Sequence, residues 1–421
     1  MPNRNKVTGP ALLVAVLAIS GCRESPAAPT GFQPGPLGAV TLEAGEDVRI
    51  RVLASVTVAP SLGVVTRHGV EFAVENMGPI AGRQVDMGEL VDTSCSPAGG
   101  RAGALGVVQD PKVAGLVGTN CSAAAVAASP IVTDAGLVMI SPSNTSPLLT
   151  SDLAGNANAD HHAGYFRVSS NDLHQARALS DFVYNQLQLR RVATVQDGDP
   201  YTSALVAAFA DAFSAIGGEV PARARIAKGQ VDMTDVLAEF AMAGPDAIFF
   251  PLFVTEGSAF AAQARTFDGL EGTTLISAAA LLVSQFLGAP QSEGMYFAGP
   301  EADFASNVNE LTGQSGEQVL EAHRDRYGSF PLSPYWAHSY DATTILLSAI
   351  DAVAVEEGDR LHIDRAALRR QVRATAMNGL IGTVTCDAFG DCGTGRMNIY
   401  HHTDTGITDV SRLPVVYVYS P

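Results

Sequence analysis

From Val48 onward the chain alternates short β-branched runs with longer stretches of helical period, and no other feature constrains its fold as strongly. Strands are expected at 48–54, 84–90, 113–117, 137–140, 191–196, 219–224, 247–250, 274–277 and 294–298. Helices are expected at 67–76, 172–187, 202–215, 232–241, 259–266, 316–327, 340–356 and 365–376. Alternation of this length means βαβ units, and right-handed crossovers place helices on both faces of a parallel sheet. Val48 to about Val168 supplies one sheet and Arg191 to Ala298 a second. The roughly 370 residues involved are too many for one compact core. The expected class is α/β, with two doubly wound parallel-sheet lobes and a cleft outside the C-terminal strand ends.

The N-terminus points to export. Arg4 and Lys6 precede an apolar run, 11–19, that is too short to span a bilayer permanently. Residues 1–21 therefore read as a signal peptide. Its Ser20-Gly21-Cys22 ending resembles the bacterial lipobox, which implies acylation of Cys22 and a membrane-anchored place in the cell envelope, periplasmic or extracytoplasmic. Residues 22–46, with Pro26, Pro29, Pro34 and Pro36 among small residues, are expected as a tether. The folded part is expected to start near Val48.

Formal charge is −17 and no basic stripe occurs, so nucleic acid is not an expected partner. With Cys22 set aside for lipid, four cysteines remain in an oxidising compartment, and four allow three pairings. Cys386 and Cys392 flank a turn-like stretch and are paired on that ground, which leaves Cys95 for Cys121. No histidine stands at ligand spacing from a cysteine, so neither metal nor cofactor is expected.

Two segments carry the binding chemistry. A strand ends at Gly118, and Ser122 is placed to cap the Ala-rich helix that follows. The free N–H groups of such a helix start suit a carboxylate. Further along, Ser129 is expected as a fresh cap where Pro130 kinks or restarts the helix. The second segment, 137–150, is a buried strand followed by hydroxyls and prolines, from which Ser143 and Thr145 are expected to donate into the cleft. The pairs His161-His162 and His401-His402 read as surface histidines. No nucleophile elbow, phosphate loop or His-Glu-x-x-His motif is present, so an enzyme is not expected.

These segments resemble the substrate-binding proteins of branched-chain amino-acid ABC importers, the Leu/Ile/Val-binding family. Gly69 to Asn76 resembles the family's first helix and Gly82 to Asp86 its following turn and strand. Cys95 and Cys121 match its disulfide, and Gly118 to Thr150 matches its strand-helix-strand core without a gap. The resemblance covers roughly residues 48–415, with weaker identity in the second lobe. It implies a type I periplasmic binding fold with three crossovers, near Ser169, Gly299 and Gly395. One lobe would comprise 47–168 plus 300–392, and the other 169–299 plus 393–421. It also implies that Ser122, Ser143 and Thr145 hold a ligand carboxylate, that Tyr201 closes over the ligand, and that Phe253 and Tyr335 wall it. The family's acid that pairs with the ligand ammonium is replaced by Ala279, which leaves open either Glu256 or Asp341 as a substitute or a carboxylate or amide ligand that lacks an amine. The implied protein is a monomer that delivers a small solute to membrane permease subunits. The alternative is an anchored sensor that passes occupancy to a receptor.

Overall fold

The computed structural model describes Lys6, Gly9 and residues 31–421. The expected signal peptide and Cys22 lie outside the described residues. Pro34–Pro421 form one compact unit carrying two large sheets. The first is parallel, in the order Val85–Asp86, Val48–Ala54, Val113–Gly118, Val138–Ser141, Tyr165–Arg167, with Val91–Asp92 also paired to Val48–Ala54. The second runs Val415–Tyr419, Met397–His402, Met295–Gly299, Thr274–Ala278, Ala247–Phe249, Val192–Gln196, Arg223–Arg225. Met397–His402 is antiparallel to both of its neighbours, and the other pairings are parallel.

Both faces of each sheet are apolar, and the strand alternation shows why. Val138 and Ile140 join the cluster beneath helices Pro60–Met77 and Tyr335–Val353. Met139, between them, faces the cluster beneath Pro97–Val108 and Ser122–Asp134. Burying such a side chain contributes about 1.5–3 kcal/mol. The second sheet is sandwiched in the same way by two further clusters.

The chain passes between the sheets after Tyr165–Arg167, after Met295–Gly299 and before Met397–His402. The first and third passages run side by side. The Arg167 N–H donates to the Gly390 carbonyl at 2.9 Å, and the Cys392 N–H donates to the Arg167 carbonyl at 2.8 Å. The strand ends that carry the functional loops are thereby registered to the crossing segments.

Several local expectations change. Part of the expected tether is a strand: Ala39–Leu42 pairs antiparallel with Arg360–Asp364. Val40 and Leu42 are fully buried, so their alternation is a sheet signal that a partner more than 300 residues away makes effective. The expected strand at 84–90 is two short ones, Val85–Asp86 and Val91–Asp92, separated by a turn at Gly88. Helix Ser122–Asp134 continues through Pro130, and Ser129 caps nothing; the Thr133 hydroxyl instead donates to the Ser129 carbonyl at 2.8 Å. His402 is buried rather than on the surface, with its Nδ1 3.2 Å from the Ser292 hydroxyl. Adjacent residues on a strand face opposite ways, so one histidine of that pair had to turn inward.

Candidate functional site

The site begins where Val113–Gly118 leaves the first sheet. Gly118 has φ of +131°, and a Cβ there would run into the Leu53 carbonyl of the neighbouring strand. Only glycine lets the chain turn this close to the sheet. The loop beyond it is tied down: the Ser55 N–H donates to Asn120 Oδ1 at 2.8 Å, and the Thr119 hydroxyl donates to the Cys121 carbonyl at 3.0 Å. Cys121 is disulfide-bonded to Cys95, with Cα atoms 5.2 Å apart.

Cys121, not Ser122, occupies the N-cap of the helix, and no side chain caps the first turn. Ser122 is the first helical residue. The helix start therefore presents backbone N–H groups and the positive end of its dipole without a competing acceptor from the cap.

The hydroxyl loop after Val138–Ser141 is held from below. The Arg167 side chain is fully buried and donates to the carbonyls of Asn144 at 3.2 Å and Ser146 at 2.7 Å, and to the Thr150 hydroxyl at 2.6 Å. Its Nε pairs with Asp391 beside the third crossing. A charged guanidinium with every neighbour an acceptor fixes the loop's shape more firmly than neutral hydrogen bonds do.

From the second sheet comes the segment Asp197 to Tyr201. Gly198 has φ of +84°, and Asp199 N-caps helix Pro200–Ala215 by accepting the Tyr201 N–H at 2.9 Å. Pro200 at the first helical position fits this start. The cap aims Tyr201 at Phe253, with ring centroids 5.7 Å apart. Lys228 reaches across the mouth of the cleft, donating to Asp199 at 3.0 Å and to the Cys95 carbonyl of the other sheet's loop at 3.2 Å.

All six residues singled out by sequence meet. Ser122, Ser143, Thr145, Tyr201, Phe253 and Tyr335, together with Ala279, line one cavity of about 20 Å³ between the two sheets. That space holds little more than a water. Admission of a larger solute therefore requires the two sheets to part.

Hydrogen-bond directions separate the cavity's donors from its acceptors. Ser122 Oγ accepts the Ser146 N–H at 3.4 Å, so its own hydrogen remains for another acceptor. Ser143 spends its hydrogen on the Asn120 carbonyl at 3.2 Å. Thr145 donates to Asp172 Oδ2 at 2.9 Å and offers only lone pairs elsewhere, contrary to the expectation that it donates into the cleft. Among the described residues, Asp172 Oδ1 and the Tyr201 hydroxyl are buried without a partner. Burial pushes the Asp172 carboxyl up to about 7, against the lowering effects of Thr145 and Arg167. Burial also raises the Tyr201 and Tyr335 phenols well above their usual range. The helix start and Ser122 offer donors to the cavity and Thr145 offers lone pairs, with Asp172 behind Thr145 as the acceptor of its hydrogen.

Asp172 is the residue that sequence reasoning missed. Asn171 caps its helix by accepting the Leu173 N–H at 3.0 Å, so Asp172 looks like an ordinary first-turn acid. Only the packing of the two sheets shows that it is buried. Of the two acids expected to replace the one at Ala279, Asp341 is elsewhere: it accepts the Leu380 and Ile381 N–H groups and the Asn309 amide, pinning the hairpin Ala376–Thr385. Glu256 stands in the outer part of the cleft, beyond Phe253. Among the described residues, no cluster of three or more His, Cys, Asp or Glu could hold a metal, and no helix is long and apolar enough to cross a membrane.

Two α/β sheets with a polar cavity between their strand ends define a solute-binding clamp. The chain belongs to the periplasmic binding protein family, whose profile matches residues 53–403. It is 23% identical over 348 residues to an amino acid binding protein of Pseudomonas aeruginosa, covering 82% of this chain and 87% of that one. It is 23% identical over 380 residues to the Leu/Ile/Val-binding protein of Escherichia coli K12, covering 86% and 93%. Among solved structures, a leucine binding protein from Thermotoga maritima superposes with a TM-score of 0.75 at 23% identity, covering 89% of this chain and 99% of that one. The fold is thus the type I periplasmic binding fold, and the relatives are binding proteins rather than enzymes.

Proposed function

We propose that this protein is a lipid-anchored, extracytoplasmic receptor that captures an amino acid or a closely related carboxylate or amide and passes it to an ABC importer. The observation that carries this reading is one cavity lined both by donors at the helix start and by the lone pairs of Thr145. Ser122 and the uncapped helix start suit a carboxylate. The lone pairs of Thr145 suit an ammonium, with the Asp172 carboxyl behind them in place of the acid that Ala279 does not supply. An ammonium buried without such a partner would be costly. Tyr201, Phe253 and Tyr335 enclose the body of the solute. Binding closes the hinge because the ligand touches both halves only when they are together. The amino-acid and Leu/Ile/Val specificities of the relatives support this reading.

Thermal-shift screening of the mature chain against amino acids, amides and organic acids tests it. A binder at one hundred times its dissociation constant should stabilise by about 2.7 kcal/mol. Ser122→Ala should weaken that binder by about ten- to a hundredfold. Unchanged affinity in calorimetry would place the solute elsewhere. The anchor is checked separately, since Cys22→Ala should leave the protein unacylated and move it out of the detergent phase.

A further inference from the structure

Past Phe253, which lines both spaces, the inner cavity adjoins a second chamber of about 490 Å³ at the mouth of the cleft. Three carboxylates line it, Asp197, Asp199 and Glu256, with exposures of only 6%, 5% and 3%. Lys228 lines it with them, engaged by Asp199 at 3.0 Å and lying over the Phe253 ring. The Arg225 guanidinium packs against Gly198 without an ion pair to Asp197 or Glu256. Asp197 Oδ1 accepts the Asp199 N–H at 3.0 Å and also the Thr202 hydroxyl, while Asp197 Oδ2 is buried with no partner among the described residues. Glu256 accepts the Gly229 N–H close by. Neither Asp197 nor Glu256 enters an ion pair among the described residues. Buried carboxylates without a cation are expensive to keep, and a ligand cation removes that cost.

We propose that this chamber is a subsite for a distal cation, and that the solute is a basic amino acid or another carboxylate bearing a second amine or a guanidine. The proposal rests on the inner cavity holding the carboxylate. A simple diamine fits less well, because it would leave the donors at Ser122 without an anion. Phe253 lines both spaces, so the tip of a side chain that extends past its ring enters the chamber. Glu256 thus keeps a role toward an amine, but the amine at the far end of the solute.

Calorimetry of the mature chain with L-lysine and L-norleucine decides this, since the two have the same side-chain carbons and only lysine carries the distal ammonium. Lysine should bind at least about tenfold more tightly. Asp197→Asn with Glu256→Gln should bring the two to near parity while leaving norleucine where it was. Equal affinities for the parent protein would overturn the proposal. So would a lysine preference that survives the double substitution. If neither amino acid binds, the inner-cavity reading fails, and butylammonium then judges the chamber alone. Thermal stabilisation of the parent that disappears in the double variant supports the cation subsite; no stabilisation of the parent overturns it.

Discussion

Asp172 concentrates the chemistry of the cleft in one side chain. In the unfolded chain it titrates near the ordinary value of 3.8, whereas burial in the closed fold pushes it up to about 7. Between those values the folded state retains a proton that the unfolded state has released, so stability falls as pH rises through that window. Asp172→Asn removes the titration. Its thermal midpoint, compared with the parent, should gain most above pH 7 and least near pH 4, with a free-energy span on the order of 4 kcal/mol. The same variant should bind an ammonium-bearing solute poorly at every pH. An unaltered pH profile of stability would show that Asp172 is not buried as described.

At the scale of elements, the hydroxyl loop owes its shape to a residue on the adjacent strand. Arg167 satisfies two loop carbonyls and the Thr150 hydroxyl from beneath and ties them to Asp391. Arg167→Met keeps much of the volume but leaves the Asp391 carboxylate without its cation and the Ser146 carbonyl and Thr150 hydroxyl without their donor, while the Asn144 carbonyl keeps the Ser169 hydroxyl. The expected loss in urea-denaturation stability is about 3–5 kcal/mol, accompanied by faster amide exchange between Ser143 and Thr150. A loss below about 1 kcal/mol, within the range of an ordinary surface substitution, would mean that the loop holds itself.

For the whole molecule, closure is held by contacts that link the two halves. The Ser146 hydroxyl donates to the Pro200 carbonyl at 3.0 Å, Thr145 to Asp172 at 2.9 Å, and Lys228 to the Cys95 carbonyl at 3.2 Å. Lys228 lies at the mouth of the cleft and contributes only once the mouth is shut. Lys228→Ala should therefore raise the dissociation rate of a bound solute by up to about tenfold and leave association nearly unchanged. Stopped-flow kinetics reads both. A fall in the association rate with no change in dissociation would assign Lys228 to capture instead of retention.

Tyr201, Phe253 and Tyr335 were implied only by the family resemblance, whereas the alternation of strand and helix, the two-sheet plan and the hydroxyls Ser122, Ser143 and Thr145 were legible in the residues themselves. They are written in local periodicity and in loops at C-terminal strand ends, a place that βαβ topology dictates wherever it occurs. Tertiary structure decided the rest. Ala39–Leu42 becomes a strand because Arg360–Asp364 returns to pair with it. Ser122 yields the cap to Cys121, and Thr145 turns from donor to acceptor because Asp172 takes its hydrogen. Asp172 and Asp197 look like ordinary helix-start and loop acids until the two halves of the cleft are assembled. Charge, unlike periodicity, has no local signature of burial: what a carboxylate does depends on whether water or protein surrounds it, and only the packed chain determines that.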